Sequence, residues 1–418
     1  THELQNTGFP PGITADDLEM EIIEMPYPAL MYTRESDELF IIGGMPFGID
    51  RYVSLMDGLP TGQNETTPYL AKYNTRTREL TYIDLDQGTT IPYLGGALMH
   101  ANGYVYAVAQ SHLYKVKPAS MTVESSVALP AASPATIYNG LLTSSTGELI
   151  LKSLSFAGGE SEILLIDPDT LEITFSTPCA CASPRLSLAV DEDGVEHLYH
   201  LNREQTFRYV VEPGVLTLDP DWVVSFDPDG TGVNQEPTSP VIVDGRVYYT
   251  TNTNLDAELP MRVFWQDVNA NYAPDMPPLT GPLLFEGVED VPGWSFSGIS
   301  ADEASGIFIG VDQANGLINA FQPDESGDIE ILWQHEQIIG SGINIVSDRG
   351  LVYANDYVDG SLHLVVRDLF TGEEVLRVPT PATRASLGSI VSTGNGDIYM
   401  AANEPGQPTG FLLRLYIP

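Results

Sequence analysis

The chain has 418 residues, with 57 acidic side chains against 18 basic ones and a formal net charge of −39. Such a surface repels nucleic acid and anionic membranes, and it suits high salt, where screening relieves the self-repulsion of the folded state. A hydrophobic content of 43%, with 38 Gly and 31 Pro, provides a core for a chain that turns often, and no apolar run reaches the ~20 residues of a membrane helix.

Taken in chain order, the first predicted element is Leu18–Met25, an alternating segment that precedes every repeat. A small pattern then recurs eight times: a short strand centred on a β-branched or Leu residue followed, in all but one copy, by an aromatic. The copies are Leu39-Phe40, Val105-Tyr106, Leu149-Ile150, Leu198-Tyr199, Val247-Tyr248, Ile307-Phe308, Val352-Tyr353 and Ile398-Tyr399. Gly103, Gly147, Gly194, Gly245, Gly306, Gly350 and Gly396 precede seven of them, and the copies stand 44 to 66 residues apart. That is the period of a four-stranded propeller blade.

Innermost strands are predicted at Ala29–Thr33, Gly96–His100, Leu141–Ser144, Leu186–Val190, Val241–Val243, Phe296–Ser300, Gly342–Val346 and Leu387–Val391. Polar turns at Asn74–Thr77, Lys117–Ser120, Asp167–Thr170 and Asp368–Gly372 join third to fourth strands, with a Ser or Thr oxygen available to cap each. After Phe411–Ile417 the last repeat lacks an outer strand, which Leu18–Met25 can supply, closing the ring and covering an open edge. The prediction is one all-β domain over 1–418, an eight-bladed β-propeller closed by its N-terminal strand, with seven blades as the rival count. Loop insertions are expected at 45–67 and 252–289, where function often resides.

Several residues carry chemistry. Asp267, Asn269 and Asn271 alternate oxygen ligands at the spacing that opens calcium loops, and Asp275 is a later candidate; a solvated Asp/Asn turn is the plain alternative. His335 follows Trp333 where the chain crosses toward the axis, which makes it a catalytic acid/base candidate. His197 and His200, three apart on a strand, point to opposite faces and do not share a metal. Arg185 and Arg384 stand just before inner strands, in loops that line one mouth of the channel, and Tyr93, Tyr138, Trp294 and the Cys179-Ala180-Cys181 turn fall in the same class of loop. Guanidinium forks bind carboxylate or phosphate, and aromatic faces stack on sugars. Ligand binding at Tyr93, Arg185, Trp294 and Arg384 is weighed against simple neutralisation of acidic loops. Cys179 and Cys181, the only cysteines, are a candidate disulfide that would stiffen a single turn.

Asp368-Leu369-Phe370-Thr371-Gly372, and in part Asp167-Pro168-Asp169-Thr170, resemble the repeat turns of quinoprotein dehydrogenase-like propellers, with Trp333 the counterpart of their blade-docking tryptophans. The resemblance implies a propeller and brings pyrroloquinoline quinone into view as a cofactor. That family often sets a disulfide of adjacent cysteines beside the quinone, whereas Ala180 separates the pair here. Two functional readings follow. One is a secreted propeller that binds an anionic small molecule, a glycan or a protein partner over the channel mouth. The other is an enzyme on the same face, a quinone-dependent oxidoreductase or a polysaccharide-cleaving enzyme. Acid excess and a start at Thr1 without an initiator Met point to an extracellular or periplasmic, saline setting, against the alternative of an acidic cytosolic protein.

Overall fold

The computed structural model describes residues 7–44, 67–85, 93–133, 136–155, 161–179, 185–202, 204–226, 237–251, 260–272, 278–287, 298–324, 327–340, 342–382, 384–403 and 410–418. Their strands form eight antiparallel sheets, the blades of a β-propeller. Blade 1 runs outward from Pro28–Thr33 through Glu38–Gly43 and Tyr69–Asn74 to Leu80–Asp84. Blades 2 to 8 begin at Leu94–Met99, Thr136–Thr143, Ser187–Val190, Val241–Val243, Ser300–Asp302, Asn344–Val346 and Arg384–Ser392. Each inner strand touches the next, and the last touches the first, so the ring is closed.

Closure is made by the N-terminal strand. Glu19–Met25 pairs antiparallel with Gly410–Tyr416 and becomes the outermost strand of blade 8, as the missing strand in the last repeat requires. A buried ion network fixes it: Arg414 donates from Nε to Asp397 (2.6 Å) and from Nη1 to Glu21 on the N-terminal strand (2.8 Å). The preceding segment is anchored as well, through Gly8 N–H to Ser392 Oγ and Phe9 N–H to Tyr353 Oη.

The repeated residue pair explains the packing. Neighbours on a strand point to opposite faces, so one member packs on the preceding blade and the other on the following blade. Val105 joins the cluster shared by blades 1 and 2, while Tyr106 joins the one shared by blades 2 and 3. Blade 6 is out of phase: Phe308 turns back onto Tyr248 of blade 5, with ring centroids 4.4 Å apart, and Ile307 faces blade 7. Its inner strand, predicted at Phe296–Ser300, is formed instead at Ser300–Asp302, where Ala301 lies opposite Phe308.

The polar turns lock adjacent blades. Asp167 and Asp368 each accept two backbone N–H bonds and a Thr hydroxyl, and these bonds hold the Asp167 carboxyl below the usual carboxylate range. The fifth turn residue takes positive φ; Arg78 (61°) and Leu171 (62°) do so against their Cβ, while Gly372 (72°) does so freely. A donor from the preceding blade reaches the turn's carbonyls: Lys72 to Pro118, Lys115 to Asp169, and the Trp333 indole N–H to Leu369 (2.9 Å).

Blade 5 contributes three strands, ending at Val263–Asp267. The chain beyond them bridges to blade 4, pairing Tyr272 with Trp222 and Leu279 with Phe226. The described part of the 252–289 insertion is therefore a clasp between blades; most of the 45–67 insertion lies outside the described residues.

Candidate functional site at the channel mouth

Bulges interrupt the inner strands of blades 1, 2, 3 and 8. In blade 2 the bulge spans Leu94 to Gly96, and Gly96 has φ of +125°. A bulge turns a backbone carbonyl out of the ladder and re-aims neighbouring side chains. Here the Gly95 carbonyl is turned toward Arg185, ninety positions later in the chain, whose Nη1 donates to it at 3.4 Å. Arg185 is fixed at its backbone by N–H donation to Ser239 Oγ (2.9 Å).

Further polar groups belong to the same run of inner strands and their approaches, from blade 1 to blade 3. Tyr32 of blade 1 accepts the Ala97 N–H (3.2 Å) through its hydroxyl oxygen, which leaves the hydroxyl proton to donate. Tyr93, just before blade 2, stands 3.5 Å from Asn139 Nδ2 of blade 3. Arg185 comes from the approach to blade 4. Among the described residues its only other hydrogen bond is that long one to a carbonyl, and no carboxylate pairs with it. Arg208, Arg377 and Arg414, by contrast, are tied to Asp219, Asp356 and Asp397.

The other sequence candidates fare differently. Trp294 and Asp275 lie outside the described residues. Arg384 opens the inner strand of blade 8, and its side chain lies outside them too. Tyr138 belongs to the inner strand of blade 3 rather than to the rim; it is fully buried against blade 2 and donates to the Pro130 carbonyl, with burial raising its pKa. Cys179 is disulfide-bonded and packs on the core between blades 3 and 4, while Cys181 lies outside the described residues.

The calcium candidates serve as braces. Asp267 Oδ1 accepts the Asn269 N–H, and Asn269 Oδ1 accepts the Glu192 N–H of blade 4. These bonds concern two of the four candidates; among the described residues no group of three or more His, Cys, Asp or Glu could hold a metal.

His335 sits on the outermost strand of blade 6, its ring 5.5 Å from Trp333 and close to Gly372, with its pKa lowered by burial and by Arg367. It borders an open cleft of about 740 Å³ between blades 6 and 7, lined also by Glu286, Glu336, Asp356 and Asp359. The cleft is separate from the groups around Arg185. His197 pairs with Asp191 (2.8 Å) while His200 stacks on Phe207 and Tyr209, so the two rings do face apart.

Sequence reasoning named Arg185 and Tyr93 but missed Tyr32 and the Gly95-Gly96 bulge that stand by Arg185, and Asn139 that stands by Tyr93. The paired glycines inside a predicted strand were the available signal.

No family model matches the chain, and no curated protein matches it. Solved structures do. A structure described as the Dos1 propeller superposes with a TM-score of 0.59 at 9% identity, over 96% of each chain. The WD40 domain of SCAP from fission yeast gives 0.52 at 8% identity, covering 96% of this chain and 98% of that one. The dihydro-heme d1 dehydrogenase NirN in complex with DHE gives 0.50 at 12% identity, covering 92% and 79%. At such identities the likeness is one of fold alone, that of the β-propeller.

Proposed function

We propose that this protein is a ligand-binding propeller that takes an anionic group at the mouth of its channel, with Arg185 as the anchor and Tyr93 beside it. One observation carries the reading: in a chain of net charge −39, the Arg185 guanidinium has no carboxylate partner among the described residues and a single 3.4 Å bond. A guanidinium has five N–H donors, and leaving most of them unused in a half-buried channel is costly unless water or a ligand accepts them. The acid excess supports an extracellular or periplasmic, saline setting, where long-range repulsion of an anion is screened.

The test is calorimetric titration of carboxylated, phosphorylated and neutral sugars and small acids into the wild type, Arg185→Lys and Arg185→Ala. Binding of an anionic member that drops at least tenfold in Arg185→Ala supports the reading. Anion binding that survives Arg185→Ala overturns it.

A second reading, an enzyme on the same face, has one specific observation in its favour. Trp333 lies over Gly372, where a Cβ would stand 2.6 Å from the indole, and its N–H bonds the Leu369 carbonyl. Trp333 is the residue that the quinoprotein-like resemblance compares with blade-docking tryptophans, and here it bonds the turn of the next blade. Pyrroloquinoline quinone belongs to that reading; it is tested by absorbance of the protein reconstituted with the quinone and by dye-linked oxidation of alcohols and sugars. A quinone spectrum with turnover would replace the binding-only reading.

A further inference from the structure

The bulged strand of blade 2 does more than present a carbonyl to Arg185. A Cβ built on Gly96 would stand 3.1 Å from Arg185 Nη1 and 3.4 Å from Tyr32 Oη, with no other atom within 4 Å. Gly96 is thus where a guanidinium from blade 4 and a phenol hydroxyl from blade 1 both close on the backbone, too near for a side chain to stand there. Both groups are donors facing one space. Arg185 has N–H groups beyond the one bound to Gly95, and the Tyr32 oxygen, already accepting from Ala97 N–H, has its own proton to give. Both atoms lie within 3.4 Å of that one point, which puts them no more than about 6.5 Å apart, a span that the two oxygens of a carboxylate reach at ordinary hydrogen-bond lengths.

Resting on the reading of Arg185 as an anion anchor, we infer that the channel recess is a carboxylate clamp: one carboxylate of a small molecule is held between Arg185 and Tyr32 over Gly96. Gly96 sets its depth. The clamp selects for a single charge, because the recess offers one cation and the surrounding chain is strongly acidic, so each additional anionic group on a ligand meets repulsion without a partner. The carboxylate can belong to a free acid or to the end of a uronic-acid chain, and the experiment separates these. Tyr32 is the specificity-determining member. A neutral isostere with an alcohol in place of the carboxylate leaves a guanidinium and a hydroxyl donor without their acceptor, which costs binding steeply.

The experiment titrates glucuronate, glucose, inorganic phosphate and polygalacturonate into the full chain, into Arg185→Ala, and into Tyr32→Phe and Gly96→Ala. Glucuronate binding is expected at least tenfold tighter than glucose, weakened about fivefold by Tyr32→Phe and abolished by Gly96→Ala. Tyr32→Phe keeps the ring and imposes no backbone strain, so it stays decisive if Gly96→Ala, whose φ disfavours a side chain, does not fold. Loss of glucuronate binding in Arg185→Ala but not in Tyr32→Phe refutes the clamp and leaves the anchor standing. Arg185-dependent binding of phosphate without glucuronate does the same. Polygalacturonate binding as tightly as glucuronate, counted per chain end, identifies a glycan terminus as the source; tighter binding along the polymer refutes the single-charge clamp. Anion binding indifferent to Arg185 removes the proposed function itself.

Discussion

Removing Arg414 tests how the ring is held shut. Its side chain is 9% exposed, as is that of Asp397, and the two are joined at 2.6 Å; Glu21, on the closing strand, is 25% exposed and bound at 2.8 Å. Arg414→Met keeps much of the length and apolar stem but strands the Asp397 carboxylate, which retains only Asn395 Nδ2 at 3.1 Å and a long contact to the Tyr399 hydroxyl. Breaking a buried pair from one side costs about 3–5 kcal/mol; the residual Asn395 bond places the expectation near about 3 kcal/mol. Glu21→Gln removes a half-exposed partner and should cost about 0.5–1 kcal/mol. At this chain length one kcal/mol corresponds to about 1 °C in Tm, so urea unfolding is the better assay, with limited proteolysis reporting release of the N-terminal strand. The double variant Arg414→Met/Asp397→Leu removes the stranded charge and should recover most of the loss. If Arg414→Met costs no more than Glu21→Gln, or the double variant recovers nothing, the buried pair is not what secures closure.

Burial, aided by the nearby Lys152 charge, lowers the His200 pKa from 6.5 to about 3. Above pH 6.5 the ring is neutral whether folded or not; below it the unfolded chain takes up a proton the folded chain refuses, so stability falls with pH down to about 3, by about 5 kcal/mol at the limit. His200→Leu should flatten that part of the curve relative to wild type, and equal slopes in urea-derived stability would refute the buried neutral ring. At the blade 6–7 dock, Gly372→Ala sets a Cβ 2.6 Å from the Trp333 indole at a φ of +72°, and should cost about 3 kcal/mol or more, against about 1–2 kcal/mol for Trp333→Phe; equal chemical stability of Gly372→Ala and wild type would show the indole is free to move. Melting temperature should rise as NaCl goes from 10 mM to 1 M, since the Debye length falls from about 30 to about 3 Å while the −39 charge is unchanged; a falling value would mean exposed ion pairs outweigh self-repulsion. Asn269→Ala should cost about 1 kcal/mol through the lost Glu192 bond, equally with calcium and with chelator; a cost confined to calcium-loaded protein would assign Asn269 to a metal.

The amino-acid sequence by itself determined the architecture, because blades are built from local signals. Alternation of period two, turn chemistry such as Asp368–Gly372, and a last repeat short of one strand were enough to count eight blades and to assign Leu18–Met25 to the eighth. What alternation cannot determine is which side of an interrupted strand a residue faces. Bulges at Gly96 and between Asn139 and Leu142 each shift the phase by a residue. Tyr138, grouped with the rim by its position, is a core residue, and Tyr32, unmarked in the sequence, reaches across to the Ala97 N–H of blade 2. Only the tertiary structure decided that Arg185 meets the Gly95 carbonyl and Tyr32, since ring closure alone brings residues so far apart in the chain around one glycine, and no local signal encodes that meeting.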